Sequence, residues 1–446
     1  MSETKLPPIS KLLSKLQDVL IDLSENSYPD VPNPNGCKKR ASVSLIIRVQ
    51  PHPSAWPNTS SGNATQAGLS SNSDIHKITT FLSQSWVQQG DPEVLFIKRA
   101  ARSGDRWTGH IALPGGKRDP EDETDRAAAI RETQEEVGLD LSHESCLFIG
   151  NLPQRVVTTS WGRVPLMVLC PFVFLMTCHE IPHLKLQPSE VGSAHWVPLR
   201  ALLLPALRDS KKVDVSERLA KQGGTVARVF LRMMLGSMVF SAVRLLPSES
   251  LYCSSAPGFL PQHQGRQLSI WERTSRWCFG QQSTSLSTEM PLLLWGLTLG
   301  IIEDFLDLLP PHDVLKLSNY PTYTAPDLRF VIWCMTYAFR KRKQREVEHV
   351  HGVGMAALKT GLEADSPGHV EVGAQADDGT IEGLGDGDLS RRIRRNQRGS
   401  RLSPTGVLLD GYFDLLRSAI YVTLIARAAV GSGVLGSFLV WYRRRR

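Results

Sequence analysis

The stretch from Gly115 to Leu139, GGKRDPEDETDRAAAIRETQEEVGL, ends in a knot of three carboxylates, Glu132, Glu135 and Glu136. On a helix these fall at i, i+3 and i+4, so they share one face with Cβ atoms about 5–6 Å apart. Like charges at that spacing destabilise an isolated helix by about 0.2–0.5 kcal/mol per pair. The face therefore needs either open solvent or a cation. Ile130, Thr133 and Val137 lie on the opposite face and can pack inward, which argues against a helix solvated all round. A helix docked by one face and crowded with carboxylates on the other suits a hard divalent cation, Mg²⁺ or Mn²⁺. Asp119 and Pro120 predict the turn and helix start, and Gly138 the stop.

On these residues the segment resembles the Nudix box, whose pattern is Gly, five residues, Glu, seven residues, Arg-Glu, an aliphatic residue, any residue, Glu-Glu, any residue, Gly, aliphatic. Seven residues separate Glu123 from Arg131, and Glu132, Glu135, Glu136, Gly138 and Leu139 follow at the family spacing. The chain departs from the pattern twice. Thr133 replaces the aliphatic residue, and six residues instead of five separate Gly116 from Glu123. The longer loop is similar to that of the coenzyme A pyrophosphatase branch, where Pro-Gly-Gly-Lys-Arg-Asp-Pro matches Pro114 to Pro120.

The resemblance implies an α/β fold, a Nudix-type α/β/α sandwich with a mixed sheet. It also implies attack of water on one phosphorus of a small-molecule diphosphate, with Mg²⁺ or Mn²⁺ neutralising the substrate. By the same carry-over Glu135 and Glu136 are the primary metal ligands, and Glu132 is a third ligand or the base that orients water. Glu123 and Arg131 would form a structural pair, and Gly115 and Gly116 would let the backbone approach the metal or the phosphates. A late loop often supplies an extra acid in this family; Glu190 fits that place, and it fits a solvated loop equally well. An idle Nudix fold serving as a binding module or membrane scaffold is the alternative to an enzyme, but three mutually repelling carboxylates favour catalysis.

A second resemblance to the coenzyme A branch lies in Leu294-Trp295-Gly296-Leu297-Thr298, which predicts an apolar helix running to about Leu309 and a domain end near residue 310. Upstream, Leu95, Arg99, Ala100, Gly109 and Leu113-Pro114-Gly115-Gly116 are similar to the branch motif. Arg102 and Arg106 miss its second arginine position, however, and His110 stands where Gln is usual, so the substrate stays open. Arg99, Arg102, Arg106 and His110 precede the glycine turn and are candidates to bind phosphate, although each is also an ordinary surface charge. Trp107 could stack on a base or simply pack.

At 446 residues with a formal net charge of +7, the chain exceeds one ordinary domain and suits anionic substrates or membrane surfaces. Seven scattered cysteines without a CxxC pair predict reduced thiols and an intracellular, cytoplasmic setting. No Gly-rich P-loop, Ser-His-Asp set or nucleic-acid-reading motif competes, so no specific nucleic-acid partner is expected. The oligomeric state is not readable.

The expected layout is an N-terminal helix and linker over 1–39 and a catalytic domain over 40–310, interrupted by insertions at about 51–90 and 248–290. Strands are predicted at Ser42–Val49, Glu93–Arg99, Gly109–Pro114, Cys146–Gly150, Val164–Met176 and Ala194–Val197. Val226 to Leu246 reads as strand or buried helix. A basic helical extension covers 311–350, and a Gly-rich acidic stretch predicts a disordered linker over 351–405. The last segment, 406–446, is an apolar helix; Ser418 to Tyr442 is long enough to cross a bilayer and is followed by Arg443 to Arg446. Arg427 near its middle opposes that reading, so a membrane anchor and a packed amphipathic helix both remain.

Overall fold

Strand β1 (Arg40–Gln50) is buried on both faces, one apolar and the other carrying Ser42, Ser44, Ile46 and Arg48. Leu45, Ile47 and Val49 join one buried cluster and Ile46 the other, as strand alternation requires of a sheet with helices on either side. The computed structural model of the protein describes residues 9–56, 73–100, 108–159, 164–180, 182–216, 224–253, 291–360 and 403–446.

Helix α1 (Ile9–Glu25) precedes β1, and helices α2 (Asp74–Leu82) and α3 (Ser85–Gln89) follow it. Next come β2 (Asp91–Arg99), β3 (Ile111–Ala112), β4 (Gly115–Lys117) and helix α4 (Asp125–Val137). Strands β5 (Cys146–Asn151), β6 (Arg155–Thr159), β7 (Val164–Met176) and β8 (Val191–Pro198) complete most of the main sheet. After α5 (Leu199–Leu202) the chain forms β9 (Arg208–Val213), α6 (Gly224–Leu235), β10 (Met238–Arg244) and β11 (Glu249–Tyr252). Then follow β12 (Leu293–Trp295), α7 (Gly296–Asp307), β13 (Thr322–Tyr323), α8 (Pro326–Thr360), α9 (Pro404–Leu409) and α10 (Tyr412–Arg445).

The main sheet has the order β11-β8-β2-β1-β7-β5, with β3 pairing with β2, β4 with β1 and β6 with β7. Strand β1 runs parallel to β7 and antiparallel to β2, so the sheet is mixed. One face carries α1 and α7: Leu13, Leu16 and Leu20 meet Ile302 and Phe305 in the larger cluster. Each fully buried leucine of this kind contributes about 1.5–3 kcal/mol. The other face carries α4, through Ala129 and Val137. The result is the α/β/α sandwich expected.

Several expectations change. The N-terminal helix forms as α1 and is built into the core of the main sheet. The described part of the 51–90 insertion is helical: Ile78, Phe81 and Leu82 of α2 are fully buried beside α1, whereas residues 57–72 lie outside the described residues. Val226 to Leu246 divides into α6 and β10, turning at Gly236 with φ 69°. The second insertion opens with β11, which pairs with β8; residues 254–290 lie outside the described residues. Leu294 and Trp295 belong to strand β12, and the helix begins only at Gly296. Residues 351–360 continue α8, and Ser403 caps α9, so the described ends of the linker over 351–405 are ordered helix; 361–402 lie outside the described residues. The six described cysteines are free thiols.

The C-terminal helices form a third cluster, in which Leu328 and Ile332 of α8 pack on Leu416, Ala419 and Ile420 of α10. A buried polar latch joins α9 to the main body. Asp304 of α7 accepts from the Arg155 guanidinium, the Ser403 hydroxyl at 2.8 Å and the Thr405 amide at 3.1 Å.

Candidate active site

Helix α4 starts where the Thr124 hydroxyl accepts from the Ala127 amide at 3.0 Å, and it ends at Gly138, which adopts φ 74°. Only glycine takes that left-handed backbone without strain. The inward face is Ala129, Thr133 and Val137. Thr133 is fully buried, with its hydroxyl 2.7 Å from the Ala129 carbonyl and 2.9 Å from the Ser44 hydroxyl of β1. The departure from an aliphatic residue is thus answered by a polar partner on the sheet.

The glycine turn places backbone amides against the carboxylate face. Strand β4 pairs with β1 through Val43 and Gly115, and Gly115 has φ 141°. A Cβ there would stand 2.6 Å from the Val43 Cα. Its amide donates to the Glu136 carboxylate at 2.8 Å. A Cβ at Gly116 would collide with the carboxylate of Glu132. Close approach to the β1 backbone therefore requires glycine at 115, whereas the neighbour at 116 is the end of the Glu132 side chain.

The three box carboxylates are not equivalent. Glu136 is 2% exposed, and burial pushes its carboxyl up to about 8 against the opposing effects of the Gly115 amide and the Arg99 charge. Glu132 is also raised, first by burial and further by the negative charges of Glu135 and Glu190, although Arg131 opposes the shift. Glu135 is the most open, with its side chain 56% exposed and 3.1 Å from Arg131 Nη1.

Glu190 reaches this site from a distant loop. The Lys185 amide donates to the Val137 carbonyl at 2.8 Å and the Gln187 amide to the Glu136 carbonyl at 3.0 Å, tying the loop to the end of α4. The Glu190 charge is felt by both Glu132 and Glu136. Glu190 thus joins the three box acids in one acidic neighbourhood, in which Arg131 Nη1 lies 3.1 Å from both Glu132 and Glu135.

The Arg131 partner differs from expectation. Arg131 donates to both oxygens of Asp122, each at 3.0 Å, and Asp122 also accepts from the Asp119 amide at 2.8 Å. The Arg131 hydrogen bond holds the Asp122 carboxyl below its usual range. Glu123 is exposed and contributes only its carbonyl, to Arg118. The extra loop residue moves the buried acid one position earlier, and five residues separate Gly116 from Asp122. A second clasp was not anticipated: Arg40 at the start of β1 binds both oxygens of Asp125 in the first turn of α4, at 2.8 and 3.0 Å.

Arg99 lies at the end of β2, with its amide donating to the His110 carbonyl at 3.0 Å. The His110 ring lies 4.8 Å from that of Trp295. Two sequence-distant segments singled out by resemblance thus meet beside the glycine turn. Arg102, Arg106 and Trp107 lie outside the described residues.

Among the described residues no group of three His, Cys, Asp or Glu side chains is close enough to hold a metal outright. The donor chemistry nevertheless fits a divalent cation. Glu132, Glu136 and Glu190 are hard oxygen donors within electrostatic reach of one another, and the Glu136 carboxylate is held by the Gly115 amide.

A family model described as the NUDIX domain matches residues 85–219. An uncharacterized protein of Schizosaccharomyces pombe is 44% identical over 163 residues, 36% of this chain and 49% of that protein. The peroxisomal coenzyme A diphosphatase of Mus musculus is 34% identical over 122 residues, covering 25% of this chain and 44% of the relative. The chain thus spans about half the length of these relatives or less. The crystal structure of a Nudix hydrolase from M. smegmatis aligns at 18% identity over 36% of this chain and 72% of that one, with a TM-score of 0.22. With the glycine turn, the carboxylate helix and the matching family model in one place, the chain carries a Nudix domain whose relatives include coenzyme A diphosphatases.

Proposed function

We propose that this domain is a divalent-metal-dependent pyrophosphohydrolase acting on a small molecule linked through a diphosphate, coenzyme A or one of its derivatives. The observation that carries the reading is the buried Glu136 carboxylate, held by the Gly115 amide within electrostatic reach of Glu132 and Glu190. Those three side chains would hold the cation, with Glu135 at the open edge. A bound Mg²⁺ or Mn²⁺ supplies charge neutralisation of the diphosphate and a more acidic water.

The rest is done by the chain itself. Glu132, set against Gly116, is placed to take a proton from the attacking water. Arg99 brings a positive charge to the same pocket and is suited to a phosphate oxygen. The Asp122–Arg131 pair fixes the loop that carries the glycines. His110 and Trp295 offer an aromatic wall beside the turn on which a base can stack. Coenzyme A is favoured by the names of the Mus musculus relatives and by the Leu294 to Thr298 segment. We further place helix α10, long and apolar enough to cross a membrane, as a tether of the enzyme to a bilayer.

The test is a panel of coenzyme A, ADP-ribose, NADH, dinucleoside polyphosphates and nucleoside triphosphates with Mg²⁺ and with Mn²⁺, run on wild type and Glu136→Gln. Coenzyme A should release product with wild type only, while the variant keeps wild-type circular dichroism. Equal rates of hydrolysis would overturn the site assignment, and no hydrolysis of any substrate by wild type would leave the domain as a binding scaffold.

A further inference from the structure

We propose that helices α6, α8 and α10 form a single membrane-seated belt, which carries the Asp327–Arg427 ion pair into the lipid as a neutral unit. This rests on the tether reading above and changes what does the tethering, from one helix to three.

Each of the three helices is apolar on two sides. Their inner faces meet in the C-terminal cluster, with Leu235 of α6, Leu328 and Ile332 of α8, and Leu416 and Ile420 of α10. Their outer faces are bare among the described residues: Phe230 and Met233 on α6 are 59% and 63% exposed, and Phe330 and Trp333 on α8 are 65% and 53% exposed. On α10, Tyr421 and Ile425 are 60% and 69% exposed. These pairs stand at i,i+3 or i,i+4, so each helix shows one coherent apolar stripe. A helix that is apolar all round belongs in a core or in lipid, and apolar patches spread over several helices are rare on proteins surrounded by water.

The arginine that opposed a membrane reading is where the three helices converge. Arg427 Nε and Nη2 donate to the Asp327 carboxylate of α8 at 2.6 and 2.5 Å, and Nη1 donates to the Met234 carbonyl at the end of α6. An isolated arginine in hydrocarbon is strongly disfavoured, whereas a bidentate pair with a third donor on a backbone carbonyl enters without net charge.

Length and charge point to a bilayer as the occupant. Tyr412 lies against Phe339 while Arg427 reaches Asp327, so α8 and α10 run antiparallel. The basic run at Lys341, Arg342 and Arg345 therefore sits at the Tyr412 end of the belt, and all three side chains are exposed. From Tyr421 to Tyr442 the helix rises about 32 Å, against a hydrocarbon thickness of about 30 Å. The far end closes with Trp441 and Tyr442, whose rings lie 4.3 and 5.2 Å from the guanidinium carbons of Arg445 and Arg446. Aromatic rings beside cations at the far limit match a headgroup layer, and the exposed basic run lies beyond the near limit, toward Tyr412.

The test is flotation of the full-length protein with phosphatidylcholine vesicles containing about a quarter phosphatidylserine, followed by alkaline carbonate washing. Wild type is compared with Phe230→Ser/Phe330→Ser/Trp333→Ser, which leaves α10 and the catalytic carboxylates untouched, and with Asp327→Asn. The triple variant should lose bilayer retention about tenfold or more while hydrolysing in solution at the wild-type rate. Asp327→Asn should also lose retention and regain it on adding Arg427→Gln. Wild-type retention in the triple variant would overturn the belt and leave α10 as a sole tether. Failure of the wild type to float would overturn belt and tether together, and a dimer broken by the triple substitution would then assign the face to a second copy of the chain.

Discussion

The Gly115 amide donates to the Glu136 carboxylate at 2.8 Å, joining the glycine turn to the one box acid that is buried. Gly115 can do this only because its backbone sits at φ 141° and nothing but hydrogen separates it from Val43. Gly115→Ala should therefore destabilise the fold by about 1–3 kcal/mol and reduce hydrolysis more than the loss of stability explains. Urea unfolding together with turnover at saturating substrate checks both.

The buried partner of Arg131 is Asp122, and Glu123 is open to solvent. Asp122→Ala should cost about 1–3 kcal/mol, whereas Glu123→Ala should stay within about 0.5 kcal/mol of wild type. The reverse order in chemical denaturation would restore Glu123 as the structural acid.

Thr133 and Ser44 face each other in the buried seam between α4 and β1. In a cycle of Thr133→Val, Ser44→Ala and the double variant, the two sites should couple by about 0.5–1.5 kcal/mol. Thr133→Val alone should destabilise, even though it restores the family's aliphatic residue. Additive effects would mean that the hydroxyls do not act as a pair.

His195 is fully buried in β8, with its ring nitrogens 2.8 Å from the hydroxyls of Ser193 and Ser250. Burial pushes its imidazole down to about 4, aided by the Lys98 charge. Between that value and about 6.5 the unfolded chain binds more protons than the folded one. Stability from this group is thus full above about 6.5 and is lost as the pH falls toward 4. Unfolding free energies measured across that range should decline more steeply for wild type than for His195→Asn.

The box helix was legible because its chemistry is local. The structure keeps Thr133, Val137 and the stop at Gly138 as read, while Ala129 takes the buried place expected of Ile130 and the helix starts at Asp125 and not at Asp119–Pro120. Strands β1, β2, β5, β7 and β8 were likewise visible as apolar runs. The Asp122 pairing was obscured by a register shift of one residue, although five residues between Gly116 and Asp122 was an available signal. The clasp of Arg40 with Asp125 links residues far apart along the chain, and no local pattern announces it.

By itself the sequence determined the carboxylate helix, its glycine turn and the family they resemble, since each rests on spacing along one segment. Only the tertiary structure decided which acids share the site. It tied the 185–190 loop to the end of the box helix, set Arg131 between Glu132 and Glu135 and buried Glu136. Burial and charge proximity depend on which segments pack together, and that is settled by the whole fold. The same holds for Arg427: along the chain it is a charge interrupting an apolar helix, and in space it is half of an ion pair with Asp327.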